Sequence, residues 1–374
     1  MQALILAGGE GTRLRPLTLT RPKPAMTLVD RPFVAYMVDW VGRHGITDVV
    51  IACGFGSDAV RAALEDRPTP TIAYVEEPEP LGTAGPLRLA ADRGLLDDRF
   101  LVLNGDLLAD LDLSALLRAH EDHGATATLA LHEVADPRSY GLVRRASGPT
   151  ALGERPSGPG GEVLEFLEKP APEKIDTDEV NAGAYVLESA VIDLIPRGRM
   201  FSIEREVFPR LVGRGLYGHR LDGYWMDVGT PERYLEASWD VLEGRVRTEI
   251  GDRLEGARFG VAEGADVESG ASVEAPALVE AGAHVGAGAI LGPRAVIGPG
   301  SVVERGARVA SSVVLADCRI GADAEVEESI LAPAVVVGER ARIQAGSVIG
   351  EGARIEPGAE IEAGARLEPG GVAA

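Results

Sequence analysis

Two periodicities divide the chain. Up to about residue 243, short apolar runs alternate with segments whose apolar residues recur at helical spacing. Residues 3–6 read as a buried strand, and residues 33–44 as a helix that stops before Gly45. Residues 48–52, 71–74 and 100–103 continue the strand series. A helix starts at Ser57, and others span residues 83–93 and 114–123. Strands alternating with helices predict a mostly parallel sheet covered on both faces. After Gly124 the pattern loosens into strands at 126–131, 142–144, 163–166 and 184–187, a Pro/Gly loop at 155–161, and helices at 204–212 and 231–242.

From Val261 onward the pattern changes. An aliphatic residue recurs every sixth position, through Val267, Val273 and Val279 to Val309 and Leu315. The phase slips by one at Ile320 and again at Leu331, then holds to Leu367. A small residue stands four places after each early aliphatic, as at Ala265, Ala271 and Ala277. A sustained period of six predicts a parallel β-helix of hexapeptides. Each short strand turns its aliphatic residue inward, the small residue fits a tight corner, and each coil buries its core only by stacking on the next.

Composition narrows the setting. Apolar residues make up 45% of the 374 and charged residues 25%, as in ordinary globular proteins. No apolar run is long enough for a transmembrane helix. The run at residues 3–6 is too short for a secretory signal and has no basic region before it. Cys53 and Cys318 stand far apart in a large chain, which argues against a disulfide framework and for the cytoplasm. A net charge of −21 argues against nucleic-acid and membrane partners. A phosphate ligand would therefore need dedicated local cations. Of 37 basic residues only Lys23, Lys169 and Lys174 are lysines, and the first two sit in Pro22-Lys23-Pro24 and Glu168-Lys169-Pro170. Arginine does not replace lysine where a compact point charge is required.

The candidate chemistry begins where the first strand ends, at Leu6-Ala7-Gly8-Gly9-Glu10-Gly11-Thr12-Arg13-Leu14-Arg15-Pro16-Leu17-Thr18. Its glycines let backbone N–H groups approach an anion, and Arg13 offers a forked phosphate donor. Alone, such a loop reads equally as a tight turn. Asn104-Gly105-Asp106 follows another apolar strand, so Asp106 is either a turn residue or a carboxylate poised for Mg²⁺. Asp227, in Trp225-Met226-Asp227-Val228-Gly229-Thr230, is a second such carboxylate. The six histidines form no cluster with zinc-ligand spacing, and no nucleophile elbow occurs.

The complete string from Gly8 to Thr18, followed by Pro22-Lys23-Pro24, resembles the signature of the sugar nucleotidyltransferase family. The resemblance implies an α/β fold: a mostly parallel Rossmann-like sheet flanked by helices, then a C-terminal left-handed parallel β-helix of hexapeptide repeats. It implies a catalytic domain at residues 1–243, a linker and first coil at 244–260, and the β-helix at 261–370. It implies that Leu6, Ala7, Gly8, Gly9, Gly11, Thr12, Arg13 and Lys23 wrap a nucleoside triphosphate, with Gly82 and Thr83 beside the base. Asp106 and Asp227 would hold Mg²⁺. Gly141, Glu168, Lys169, Asn181 and Gly183 would take the sugar phosphate, and Arg13, Lys23, Asp106, Lys169 and Asp227 would carry catalysis.

Leu81-Gly82-Thr83-Ala84-Gly85-Pro86-Leu87, Ser202-Ile203-Glu204-Arg205-Glu206 and the appended β-helix are most similar to the branch that makes GDP-mannose from GTP and mannose-1-phosphate. Transfer of other nucleotides to glucose-1-phosphate is the alternative. A non-catalytic regulatory paralogue would be expected to break the loop or lose the carboxylates, and both are kept. Acyl transfer in the β-helix would want a catalytic histidine and an inserted loop, and the repeats run almost without insertion. Self-association through the β-helix is expected.

Overall fold

The computed structural model describes residues 1–65, 67, 69–146, 158–254 and 259–374. Part of the 155–161 loop and part of the 244–260 linker lie outside the described residues. The chain forms two compact units: Met1–Gly9 with Met37–Trp225, and Glu10–Tyr36 with Met226–Ala374.

The first unit is built on nine strands: β1 (Gln2–Ala7), β2 (Asp48–Cys53), β3 (Thr71–Glu76), β4 (Arg99–Asn104), β5 (Ala127–Glu133), β6 (Gly141–Arg145), β7 (Gly160–Glu168), β8 (Glu179–Glu188) and β9 (Leu216–Arg220). Their order is β3-β2-β1-β4-β8-β5-β9-β7-β6. The expected parallel sheet occupies one half: β3, β2, β1 and β4 run parallel, with Leu4 opposite both Val50 and Val102. All three side chains are fully buried, as a sheet covered on both faces requires. Beyond β4 the sheet is mixed. β8 runs antiparallel to β4 and β5, β9 pairs parallel with β5, and β7 is antiparallel to β9 and β6.

Helix boundaries follow their caps. The helix Leu113–His123 starts where the Asp112 carboxylate accepts the Ala115 N–H at 3.0 Å and ends at Gly124 in left-handed conformation. The helix expected from Thr83 begins at Gly85, and the N–H of Ala84, its N-cap, donates to the Phe201 carbonyl. The helix expected at 204–212 is a π-helical turn, Ile203–Val207, running into a short α-helix, Phe208–Leu211. Pro209 has no N–H for an i−4 carbonyl, so a regular α ladder cannot pass through it. Ser202 caps the turn: its hydroxyl accepts the Arg205 N–H, and the Glu206 carboxylate accepts the Ser202 N–H.

In the second unit, short parallel strands stack into sheets of seven, seven and six, consistent with a left-handed parallel β-helix. Inward Val285, Leu291, Ile297, Val303 and Val309 are fully buried, as are the corner residues Ala289, Ala295, Ser301 and Ala307. One register differs from the sequence reading. Ile297 pairs with Val314, and Val314 with Leu331, so Val314 rather than Leu315 points inward. The first phase slip therefore falls before Val314. The shortened corner is held by Ser312, whose hydroxyl donates to the Ala310 carbonyl and accepts the Ser329 N–H.

The outward residues of one β-helix sheet, Leu278, Val296, Val313, Ile330 and Val348, are buried too. The helix Pro231–Leu242 is tied along this face. Trp239 Nε1 donates to the Ser311 carbonyl at 3.2 Å, Arg294 lies 5.1 Å from the Trp239 ring centroid and pairs with Glu243, and Glu232 pairs with Arg366. The segment Glu10–Tyr36 joins the same unit through the Tyr234 hydroxyl, which donates to the Thr27 carbonyl, and through Arg31, which pairs with Asp30 and Glu249.

Candidate active site

In the first unit the site residues gather at the carboxyl ends of adjacent strands, the usual ligand position in open α/β sheets. Ala7 ends β1 and Gly8-Gly9 follow it. Asn104 ends β4 and leads to Gly105-Asp106. The two turns press together: a Cβ on Gly105 would lie 2.1 Å from the Leu6 carbonyl oxygen, so only glycine fits. That contact sets the Gly105-Asp106 turn against the end of β1, where the glycine loop begins. The Asn104 Oδ1 is buried without a hydrogen-bond partner, an acceptor that a ligand hydroxyl could satisfy.

Gly8 packs against Glu77, whose Oε1 would lie 2.3 Å from a Cβ there. The other Glu77 oxygen accepts the Leu81 N–H at 3.1 Å. Burial raises the Glu77 carboxyl above its ordinary range. Nothing in the sequence marks Glu77, and only the fold brings it to the loop. The Thr83 hydroxyl is engaged within the protein: it donates to Glu204 at 2.6 Å and accepts the Ile203 N–H at 2.9 Å.

The expected sugar-side residues also come together. Glu168 ends β7, and its Oε2 would lie 3.0 Å from a Cβ on Gly141. Burial first, and the Glu204 carboxylate second, raise the Glu168 carboxyl, with Lys169 and Arg205 opposing. Lys169 is exposed, takes a left-handed backbone at φ 48°, and donates its N–H to the Tyr140 carbonyl at 3.1 Å. Asn181 is buried; its amide donates to the Tyr185 hydroxyl at 2.9 Å, and its Oδ1 accepts the Gly183 N–H at 3.0 Å. A Cβ on Gly183 would lie 2.9 Å from Asn104 Nδ2. Asn181, Tyr185, Gly183 and Asn104 thus form one connected patch on β8 and β4.

The second unit holds Gly11, Thr12, Arg13, Lys23 and Asp227. Gly11 is left-handed at φ 61°, and its carbonyl accepts the Thr18 hydroxyl at 2.8 Å. Lys23 is buried, with its ammonium 5.7 Å from the Phe33 ring centroid. Arg13 and Asp227 flank Gly229: a Cβ there would lie 2.8 Å from an Arg13 guanidinium nitrogen and 3.0 Å from Asp227 Oδ1. Asp106 belongs to the first unit and Asp227 to the second. Among the described residues no group of three or more His, Cys, Asp or Glu side chains could hold a metal by itself. Asp110 is structural, its carboxylate accepting the Tyr224 N–H at 2.6 Å. Cys53 and Cys318 are buried free thiols, both pushed up to about 12 by burial. No helix is long and apolar enough to cross a membrane among the described residues.

Comparison with known proteins supplies the kinship. The family model for nucleotidyl transferases matches residues 2–244, and the model of the GMPPB C-terminal domain matches residues 273–369. Mannose-1-phosphate guanylyltransferase from Mycobacterium tuberculosis is 40% identical over 249 residues, 65% of this chain and 65% of that protein. The corresponding enzyme of Candida albicans is 40% identical over 243 residues, 64% of each chain. The chain thus covers just under two thirds of the length of these relatives. A crystal structure of HddC from Yersinia pseudotuberculosis complexed with GMP-PN aligns with a TM-score of 0.52 at 25% identity, over 63% of this chain and 97% of that one.

Proposed function

Because the chain belongs to the nucleotidyl transferase family, we propose that it joins GTP to mannose-1-phosphate, giving GDP-mannose and pyrophosphate. The observation that supports the reaction class is the packing of Gly105 on Leu6 and Ala7 at the end of β1, which sets the Asn104-Gly105-Asp106 turn against the start of the glycine loop. The choice of guanine and mannose is supported by the relatives at 40% identity.

An oxygen of the sugar phosphate attacks the α-phosphorus of the triphosphate, and the bond to the β-phosphate oxygen breaks as pyrophosphate leaves. The nucleophile is already anionic, so no general base is needed. Catalysis is alignment plus charge neutralisation. Arg13 and Lys23 would hold the triphosphate and the departing pyrophosphate. Lys169 would offset the repulsion between two anionic substrates. Glu168 and Asn181 would take sugar hydroxyls, with Gly141 and Gly183 leaving room.

Asp106 and Asp227 are the proposed ligands of Mg²⁺. Carboxylate oxygens completed by substrate phosphate suit this hard cation, which seldom uses an all-protein cage. When bound, it would supply positive charge to the phosphates. A cytoplasmic location and self-association through the β-helix belong to the same proposal.

The test is pyrophosphate release from four nucleoside triphosphates, each against mannose-1-phosphate and glucose-1-phosphate. GTP with mannose-1-phosphate should be fastest; preference for TTP with glucose-1-phosphate would overturn the substrates and keep the reaction. Asp106→Asn and Asp227→Asn should each lower kcat about 10²-fold or more at limiting Mg²⁺, the size seen when one positioned electrostatic contact is lost. Wild-type turnover in both would refute the metal assignment.

A further inference from the structure

Glu204 joins two parts of the first unit that the sequence separates. On one side, its Oε2 accepts the Thr83 hydroxyl at 2.6 Å and the Ser202 hydroxyl at 2.8 Å. The Ile203 N–H donates back to Thr83 Oγ at 2.9 Å. The Phe201 carbonyl accepts the Ala84 N–H at 2.9 Å, and the Phe201 N–H donates to the Leu81 carbonyl at 3.0 Å. Gly82 is left-handed at φ 74°, and a Cβ there would lie 2.6 Å from the Phe201 oxygen. The Leu81–Ala84 segment is therefore clamped to Phe201–Glu204.

On the other side, Glu204 lines a cleft of about 380 Å³ together with Glu168, Lys169 and Arg205. Upstream, the Leu81 N–H is held by Glu77, which packs on Gly8. A continuous line of contacts thus runs from Gly8 through Glu77, Leu81 and Thr83 to Glu204 and its cleft.

A carboxylate near Glu168 carries a like-charge penalty. Two hydroxyl donors on a single oxygen, with Arg205 and Lys169 lining the same cleft, offset that penalty. Charge-assisted bonds this short are among the stronger ones available to a side chain. An ordinary surface glutamate needs none of this arrangement.

We infer that Glu204 is a positioning residue: it fixes the Leu81–Thr83 segment, through the Thr83 hydroxyl, in the geometry that receives the nucleotide, and couples that segment to the Glu168–Lys169 cleft. The inference rests on the proposed nucleotidyl transfer. It assigns Thr83 to the clamp rather than to direct contact with the base.

The test combines steady-state kinetics, titration of a fluorescent GTP derivative and thermal melting on the full chain. Glu204→Ala should weaken nucleotide binding about 10-fold or more, the size expected when a hydrogen bond to a charged group is lost. Because Glu204 also lines the Glu168–Lys169 cleft, the KM for the sugar phosphate should shift as well, by less than the nucleotide affinity. Thr83→Val removes the same bond and should reproduce the effect. The double variant should lose less than the product of the two single losses, since both changes cut the shared Thr83–Glu204 bond, while each also frees one further group, the Ser202 hydroxyl or the Ile203 N–H. Glu204→Gln keeps an acceptor oxygen and should recover most of the loss.

Three results would each overturn the assignment while leaving the proposed function standing. One is wild-type nucleotide affinity in Glu204→Ala with only its melting temperature lowered, which marks a structural residue. The second is multiplicative losses in the double variant. The third is a Glu204→Gln protein as impaired as Glu204→Ala. A wild-type protein that neither releases pyrophosphate nor binds the GTP derivative defeats the proposed function, and the coupling with it.

Discussion

Lys169 keeps a left-handed backbone, φ 48°, that costs an L side chain about 1–2 kcal/mol relative to glycine. Strain retained at an exposed position that lines the cleft with Glu168 and Glu204 points to a use for the side chain. Lys169→Gly is therefore expected to raise the melting temperature by about 2–4 °C, the shift that about 1 kcal/mol produces in a domain of this size. The same change should cut kcat/KM for the sugar phosphate about 10²-fold or more. Calorimetry and initial rates read the two effects separately, and a stable, fully active glycine variant would remove Lys169 from the site. The lysine was legible in the sequence because lysines are so rare here; its backbone conformation was not. Glu77 and Glu204 were illegible for a different reason. Each is one of 58 acidic residues, and only the packing on Gly8 and Thr83 sets them apart.

The elements of the first unit carry three histidines, His120, His132 and His219, whose pKa values burial lowers below the ordinary 6.5. His120 is wholly buried, between Thr128 and Glu188. The folded protein thus binds fewer protons than the unfolded chain as pH falls below 6.5. Their stabilising contribution is full above that pH and is lost as pH drops through the unfolded value toward the lowered folded ones. Melting temperature should accordingly fall between pH 7 and 5, opposed in part by the raised Glu77 and Glu168 carboxyls, whose protonation favours the folded state, and His120→Gln should flatten the fall.

In the β-helix the six-residue period made the elements legible, because one aliphatic residue per strand is a physical requirement of the stack. The covered outer sheet was not legible, since alternation alone assigns Val313 to solvent. Val313→Lys should cost about 3 kcal/mol or more as an unpaired buried charge. Val302→Lys, on a half-exposed outward position of another sheet, should stay within about 0.5 kcal/mol. Urea unfolding compares them, and equal costs would contradict the covered face. At Leu315 the six-residue period selects the wrong residue because Val313, Val314 and Leu315 adjoin at the slip, and only strand pairing selects Val314.

At the scale of the whole molecule, the motif order in the sequence was enough to place the α/β fold and the β-helix. It could not reveal that Glu10–Tyr36, which carries Arg13 and Lys23, packs in the same compact unit as the β-helix. That partition depends on contacts such as Tyr234 with Thr27 and Arg31 with Glu249, made between distant residues. A chain cut after Gly244 loses Glu249 and every β-helix coil. It is expected to lose binding of the fluorescent GTP derivative, whereas full binding by the shortened chain would mean that the signature segment needs no such support. The central claim is nucleotidyl transfer itself, and its most direct test is pyrophosphate release from GTP by the full chain with and without mannose-1-phosphate. Release that requires the sugar phosphate and is matched one for one by GDP-mannose is the predicted result; release without the sugar phosphate, or none with any acceptor, would contradict the account.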